Sequence, residues 1–233
     1  MTESIHLKPT AELAPRVLLP GDPARALLLA QTLLAEPLMF NHHRGLWGYT
    51  GMAGDGQPLT IQSTGMGGPS AAIVVSELRQ LGARCFLRVG TCGALAPELT
   101  LGQLVAATEA LADDGTSQAL GAEGRVAPDP GLTRALLALG EADLIAGPVA
   151  STDLFYDDRP GPVRAWQAAG AVAVEMESAT LFALARRLGC AASSLLLVTD
   201  LLLPERRRID EASLRAGERR LGELALRALD GAA

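Results

Sequence analysis

The chain has 233 residues, 48% of them hydrophobic, and a net charge of −6 from 20 basic and 26 acidic side chains. That apolar share excludes a disordered chain and suffices for one sizeable core. The acidic balance argues against a nucleic-acid binder working through its overall field. No apolar run reaches the ~18–20 residues of a membrane span. Residues 1–6 lack the basic-then-apolar pattern of a secretory leader. The expectation is a single domain over residues 1–233, located in the cytoplasm.

Residue types narrow the chemistry further. Lys8 is the one lysine, which removes a phosphate loop ending in Gly-Lys-Ser/Thr and a mid-chain Schiff-base lysine. The histidines are His6, His42 and His43, and the cysteines Cys85, Cys92 and Cys190. No Cys-x-x-Cys or His-x-x-x-His pair occurs, so no metal site is expected, and an odd number of cysteines fits free thiols.

In chain order, residues 16–19 read as a buried strand. Residues 23–34 read as a helix with Pro23 in the first turn, where its missing N–H is tolerated. Residues 46–53 and 58–64 read as strands around the turn Gly54-Asp55-Gly56. The apolar spacing at 71, 74, 75 and 78 predicts a helix over 69–81. Residues 85–89 read as a strand ending at Gly90, and 104–107 as another. Residues 113–129 read as a surface loop, 130–139 as a helix and 144–150 as a strand. Residues 178–188 read as a helix closed by Gly189, 193–198 as a strand and 210–229 as a last helix. This alternation predicts an α/β fold, a mixed but mostly parallel central sheet flanked by helices, with ligands at strand ends.

The chemistry-bearing motifs do follow strands. Gly21-Asp22-Pro23-Ala24-Arg25 opens a helix whose free N–H groups favour an anion. Gly65-Met66-Gly67-Gly68-Pro69-Ser70 is a second glycine turn, without the third glycine of a dinucleotide fingerprint. Arg88-Val89-Gly90-Thr91-Cys92-Gly93-Ala94 places an arginine in a buried strand beside a hydroxyl. That pairing suits phosphate, or an ion pair with a carboxylate. In extended backbone Glu175 and Glu177 share a face and could grip neighbouring sugar hydroxyls. Phe155-Tyr156 offers a stacking wall for a flat ligand. Asp200, after four apolar residues, suits a general acid in a poorly hydrated pocket.

Together with His43-Arg44-Gly45 and Ser151-x-Asp153, these motifs in this order resemble the bacterial nucleoside phosphorylase family, which includes hexameric purine nucleoside phosphorylase and uridine phosphorylase. The resemblance runs from about His6 to Asp200. It implies that Gly21, Arg25, Arg88 and Thr91 bind phosphate, joined by Arg44 from a neighbouring subunit. It implies that His6 of the neighbour, Met66, Met176 and Glu177 hold the ribose. Cys92, Gly93, Phe155 and Glu175 would line the base pocket, and Asp200 would be the acid serving a purine.

The implied reaction is phosphorolysis of a purine (deoxy)ribonucleoside to free base and (deoxy)ribose 1-phosphate. Inorganic phosphate is the co-substrate, and neither metal nor organic cofactor takes part. The implied partners are small molecules and further copies of the chain in a homohexamer, with no nucleic acid and no membrane. Uridine is the alternative substrate. Uridine phosphorylases carry a Gln and an Arg just past the Phe-Tyr, where this chain reads Asp157-Asp158-Arg159-Pro160, and they lack the acid at 200. A nucleosidase would lack the phosphate arginines, and a non-catalytic binder would not need Glu177 and Asp200. For the arginine that assists Asp200, the candidates are Arg206, Arg207, Arg208 and Arg215.

Overall fold

A computed structural model describes residues 4–231. Residues 1–3, which begin the segment read above as lacking a leader pattern, and 232–233 lie outside the described residues. The strands are β1 (Arg16–Leu19), β2 (Leu34–Asn41), β3 (Gly48–Ala53), β4 (Pro58–Gln62), β5 (Cys85–Ala94), β6 (Leu104–Asp113), β7 (Arg125–Val126), β8 (Leu144–Thr152), β9 (Ala173–Glu175), β10 (Ala191–Leu201) and β11 (Arg207–Arg208). The helices are α1 (Pro23–Leu33), α2 (Gly68–Leu81), α3 (Gly115–Ala119), α4 (Pro130–Ala138), α5 (Pro162–Ala168), α6 (Ser178–Leu188) and α7 (Glu211–Asp230). None of the helices among the described residues is long and apolar enough to cross a membrane.

The strands form one mixed sheet in the order β11-β10-β6-β8-β9-β5-β1-β4-β3-β2, with β7 on β6. β1 lies parallel to β4 and β5, β10 parallel to β5, and β8 parallel to β6 and β9. An additional β10–β5 pairing closes β10, β6, β8, β9 and β5 into a ring. Successive side chains on a strand point to opposite faces, and both faces here are apolar. Val17, Leu19, Phe86, Leu196 and Val198 pack with Val74 and Leu78 of α2 and Phe182 of α6. Leu18, Leu87, Val89, Leu195 and Leu197 pack with Leu29 of α1, Leu132 of α4 and Leu221 of α7.

The sheet's parallel centre leaves Gly21, Gly65, Thr91 and Asp200 near one another, because β1, β4, β5 and β10 all end on the same side. The sequence also leaves local conflicts that tertiary pairing resolves. Leu34, read as the end of a helix, and residues 35–41, read as no element, form the edge strand β2 on β3. β5 does not stop at Gly90 but runs through it to Ala94, because β10 pairs with it from Cys85 to Ala94. The stretch 113–129 holds α3 and β7, and residues 162–168, which carry little periodicity, form α5.

α3 exists because Asp114 organises it. Its carboxylate, fully buried, caps the helix by accepting from Ser117 N at 2.8 Å and from the Ser117 hydroxyl. It also accepts from Thr180 Oγ1 of α6 at 2.7 Å. Removing it leaves several buried donors without an acceptor. Asp114→Ala is expected to lower unfolding free energy by about 3 kcal/mol and Thr180→Val by about 1 kcal/mol in denaturant titrations. Equal losses in the two variants would mean that the carboxylate contributes no more than one hydroxyl contact.

Candidate functional site

Where β1, β4, β5 and β10 end, a cavity of about 1160 Å³ opens. Gly21, Arg25, Met66, Arg88, Thr91, Cys92, Gly93, Phe155, Glu175, Met176, Glu177 and Asp200 all stand on its wall. Residues spread over 180 positions thus meet around one space. His6 and Arg44 are not among them.

The centre of the site is Arg88. It lies in β5 with Leu19 of β1 and Ser194 of β10 on either side in register. Its Nε donates to Glu175 Oε2 at 2.9 Å, and its Nη2 lies 2.5 Å from Glu177 Oε2. The alternative of an ion pair with a carboxylate is therefore realised twice over, on a guanidinium that still reaches the cavity wall. Burial alone would lower the Arg88 pKa, but the two carboxylates outweigh it and raise it. Burial pushes the Glu177 carboxyl up, against the pull of Arg88. Glycine at 90 makes the arrangement possible, since a Cβ there would lie 2.5 Å from Arg88 Cζ.

Glu175, implied by the resemblance as a base contact, has a side chain that is 0% exposed, so in this structure it meets the cavity through its backbone alone. It accepts instead from Arg88, the Ser151 hydroxyl, Ser178 N at 2.9 Å and Glu177 N at 2.9 Å. The last two are free N–H groups at the start of α6, so Glu175 both caps that helix and aims Arg88. Nor do Glu175 and Glu177 sit on one extended face. β9 ends at Glu175, and Glu177 is the residue before the first turn of α6. Glu177 Oε1 accepts from Gly67 N at 2.5 Å, which ties it to the second glycine turn. Gly65 and Gly67 take φ of 74° and 83°, which favour glycine and bring that turn against the site.

Asp200 lies four residues past the level of Gly90 on the paired strands, just beyond a β-bulge in β10. It is buried, but its surroundings are not the apolar pocket expected from the run before it. Arg206 Nη2 donates to Oδ1 at 3.1 Å, Arg208 Nε lies 3.3 Å from the same oxygen, and Thr199 Oγ1 donates to Oδ2 at 3.0 Å. Of the four candidate arginines, Arg206 and Arg208 therefore face the acid. Arg215 instead pairs with Glu211 at 2.8 Å. The Arg206 guanidinium also stacks over the Phe155 ring, 5.0 Å from its centroid. Phe155 is 52% exposed, an open wall rather than core. Cys92 is buried, and burial pushes its thiol pKa up, which leaves it an inert wall residue.

His6 is anchored away from the cavity. Its Nδ1 lies 2.7 Å from Glu77 Oε1, and its N–H and that of Leu7 donate to the same carboxylate. Burial opposes ionisation of Glu77, but these donors outweigh it and hold its pKa below the ordinary value. Arg44 is exposed, in a short helical turn at His43–Gly45, with left-handed φ of 60°. His43 Nδ1 lies 3.0 Å from the His6 carbonyl, so the two segments form one surface. Sequence reasoning missed Glu218, whose Oε1 accepts from Arg25 Nε at 2.8 Å. Among the described residues no cluster of three or more His, Cys, Asp and Glu side chains suits a metal.

Residues 15–230 match the Phosphorylase superfamily. The chain is 39% identical over 207 residues to a purine nucleoside phosphorylase of the DeoD type from Geobacillus kaustophilus (strain HTA426), covering 86% of this chain and 87% of that one. It is 38% identical over 185 residues to a guanosine phosphorylase from Halorubrum lacusprofundi, covering 78% and 76%. A crystal structure of uridine phosphorylase from Vibrio fischeri ES114 superposes with a TM-score of 0.85 at 28% identity, covering 94% of this chain and 92% of that one. On the extent of these matches, the chain belongs to the phosphorylase superfamily.

Proposed function

We propose that this protein cleaves purine nucleosides with inorganic phosphate, giving the free base and a pentose 1-phosphate. The observation that carries the reading is the buried Arg88 between Glu175 and Glu177, on the wall of a cavity that also holds Arg25 and Asp200. Phosphate near pH 7 carries about −1.5 charge. Gly21, Arg25, Arg88 and Thr91 would hold it, and charge-assisted hydrogen bonds to it are each worth about 1.5–3 kcal/mol. Met66, Met176 and Glu177 would hold the ribose, with Glu177 exchanging part of its grip on Arg88 for sugar hydroxyls. Cys92, Gly93 and Phe155 would border the base.

Phosphate held below the sugar attacks C1′ as the bond to the base breaks. The ring gains positive character in the transition state, which the phosphate oxygens and Glu177 stabilise. The leaving base gains negative charge. Asp200, held by Arg206 and Arg208, would give the five-membered ring of a purine its proton. The same reading makes the enzyme a cytoplasmic homohexamer in which Arg44 and His6 reach a neighbour's cavity. The exposed apolar side chains Ile5, next to His6, and Trp47, three residues past Arg44, support an interface there.

A panel of adenosine, inosine, guanosine and uridine, each assayed with and without phosphate, tests the reading. Purine cleavage is expected only with phosphate. Equal release of free ribose without it would make the protein a hydrolase, and uridine as the best substrate would overturn the purine assignment. Asp200→Asn keeps the size of the side chain but cannot transfer a proton. It is expected to slow adenosine by about 100-fold or more, and 7-methylguanosine, whose base leaves without a proton at N7, by less than about tenfold. Equal slowing of both would reduce Asp200 to a pocket-shaping role. Gly90→Ala should push the Arg88 guanidinium off its carboxylates. Its phosphate KM is expected to rise about tenfold or more with the circular dichroism of the fold intact, whereas an unchanged phosphate KM would detach Arg88 from phosphate.

A further inference from the structure

We propose that Glu218 of α7 is the positioning residue that aims Arg25 at the phosphate, an inference that rests on the phosphorolytic reading above. The pair spans 193 positions and is buried, with both residues 7% exposed. Burying a charge is costly unless it is paired, so a buried pair at a cavity wall constrains both side chains. Arg25 Nε donates to Glu218 Oε1 at 2.8 Å, and Arg25 Nη1 donates to the Val89 carbonyl of β5 at 3.3 Å. These bonds come from two sides and use two of the five N–H donors of a planar fork. The plane of the guanidinium is thereby fixed, and its remaining donors are left for an oxyanion.

The helix that carries Glu218 is built for this approach. Gly217 precedes it and faces Leu197 of β10, where a Cβ would come within 2.8 Å of the leucine side chain. Gly222, one turn on, faces Leu29 of α1, where a Cβ would come within 2.4 Å. The two glycines let α7 lie against both elements, close enough for a glutamate to reach a guanidinium on α1. Arg25 also draws the Glu177 carboxyl down against burial, more weakly than Arg88 does, and both guanidiniums stand on the wall of the same cavity. Two arginines, each held by a carboxylate from another element, thus border the space where phosphate would sit.

A residue that merely ties α7 to α1 would affect folding, whereas one that aims Arg25 affects phosphate and not nucleoside. Steady-state kinetics on the full chain separate the two, with Glu218→Leu, Glu218→Gln, Arg25→Ala and the double variants, and melting temperatures recorded for each. Glu218→Leu is expected to raise the phosphate KM about tenfold while the nucleoside KM stays within about twofold. Glu218→Gln keeps an acceptor for Nε and is expected to raise it only about threefold. In the Arg25→Ala background neither substitution should change the phosphate KM further. If Glu218→Leu fails to fold, the cycle with Glu218→Gln carries the test. Parallel rises in both KM values, or the same factor with Arg25 absent, would overturn the inference. A wild-type enzyme that needs no phosphate would instead overturn the phosphorolytic reading. A wild-type enzyme that needs phosphate, with Glu218 variants unchanged in phosphate KM, overturns this inference alone.

Discussion

Everything around the cavity is arranged to keep one guanidinium charged inside the protein. Arg88 sits in a strand with neighbours on both sides, where an unpaired charge would cost several kcal/mol. Glu175 and Glu177 offset that cost, and each is itself held by the start of a helix or by a glycine turn. Breaking any one of these contacts exposes a buried charge, so the clamp makes the ends of β5, β9 and α6 one rigid unit. With both acids ionised the clamp carries one positive and two negative charges, so an incoming anion would have to take the place of part of Glu177's hold on Arg88.

The fold serves that unit. The parallel pairings of β1 with β4 and β5, and of β10 with β5, bring four strand ends together. The ring closed by the β10–β5 contact brings β9 back against the end of β5, which is how Glu175 reaches Arg88. The short strand β11 folds back on β10 in antiparallel register, with Arg208 opposite Asp200. This hairpin, and not a distant helix, supplies the guanidiniums that surround the acid.

Much of this was legible in the residues. The turns at Gly21-Asp22-Pro23 and Gly65-Met66-Gly67 follow strands as read, and Arg88, Thr91, Cys92 and Gly93 line the cavity. The parts that were not legible depend on distant partners. Glu175 looks like a free acid beside Glu177 until the α6 amides and Ser151 claim it. The run Leu195 to Val198 suggests an apolar pocket for Asp200, because nothing local announces that the chain turns back at 203–206 to lay two arginines on it. Glu218 sits in an amphipathic helix rich in charged residues, where a solvated position is the ordinary expectation. Only the packing of α7 against α1 makes it a buried partner of Arg25. Similarly, β5 outruns its glycines because β10 supplies a ladder for them, which no local propensity encodes.

In the proposed reaction phosphate, not water, forms the new bond at C1′. The most direct test is to cleave a purine nucleoside in ¹⁸O-enriched water with ordinary phosphate and analyse the sugar product by mass spectrometry and ³¹P NMR. Pentose 1-phosphate with no ¹⁸O on C1 is the expected product. Free pentose carrying ¹⁸O at C1 from the first turnovers would contradict it, and would assign Arg25 and Arg88 a purely structural role.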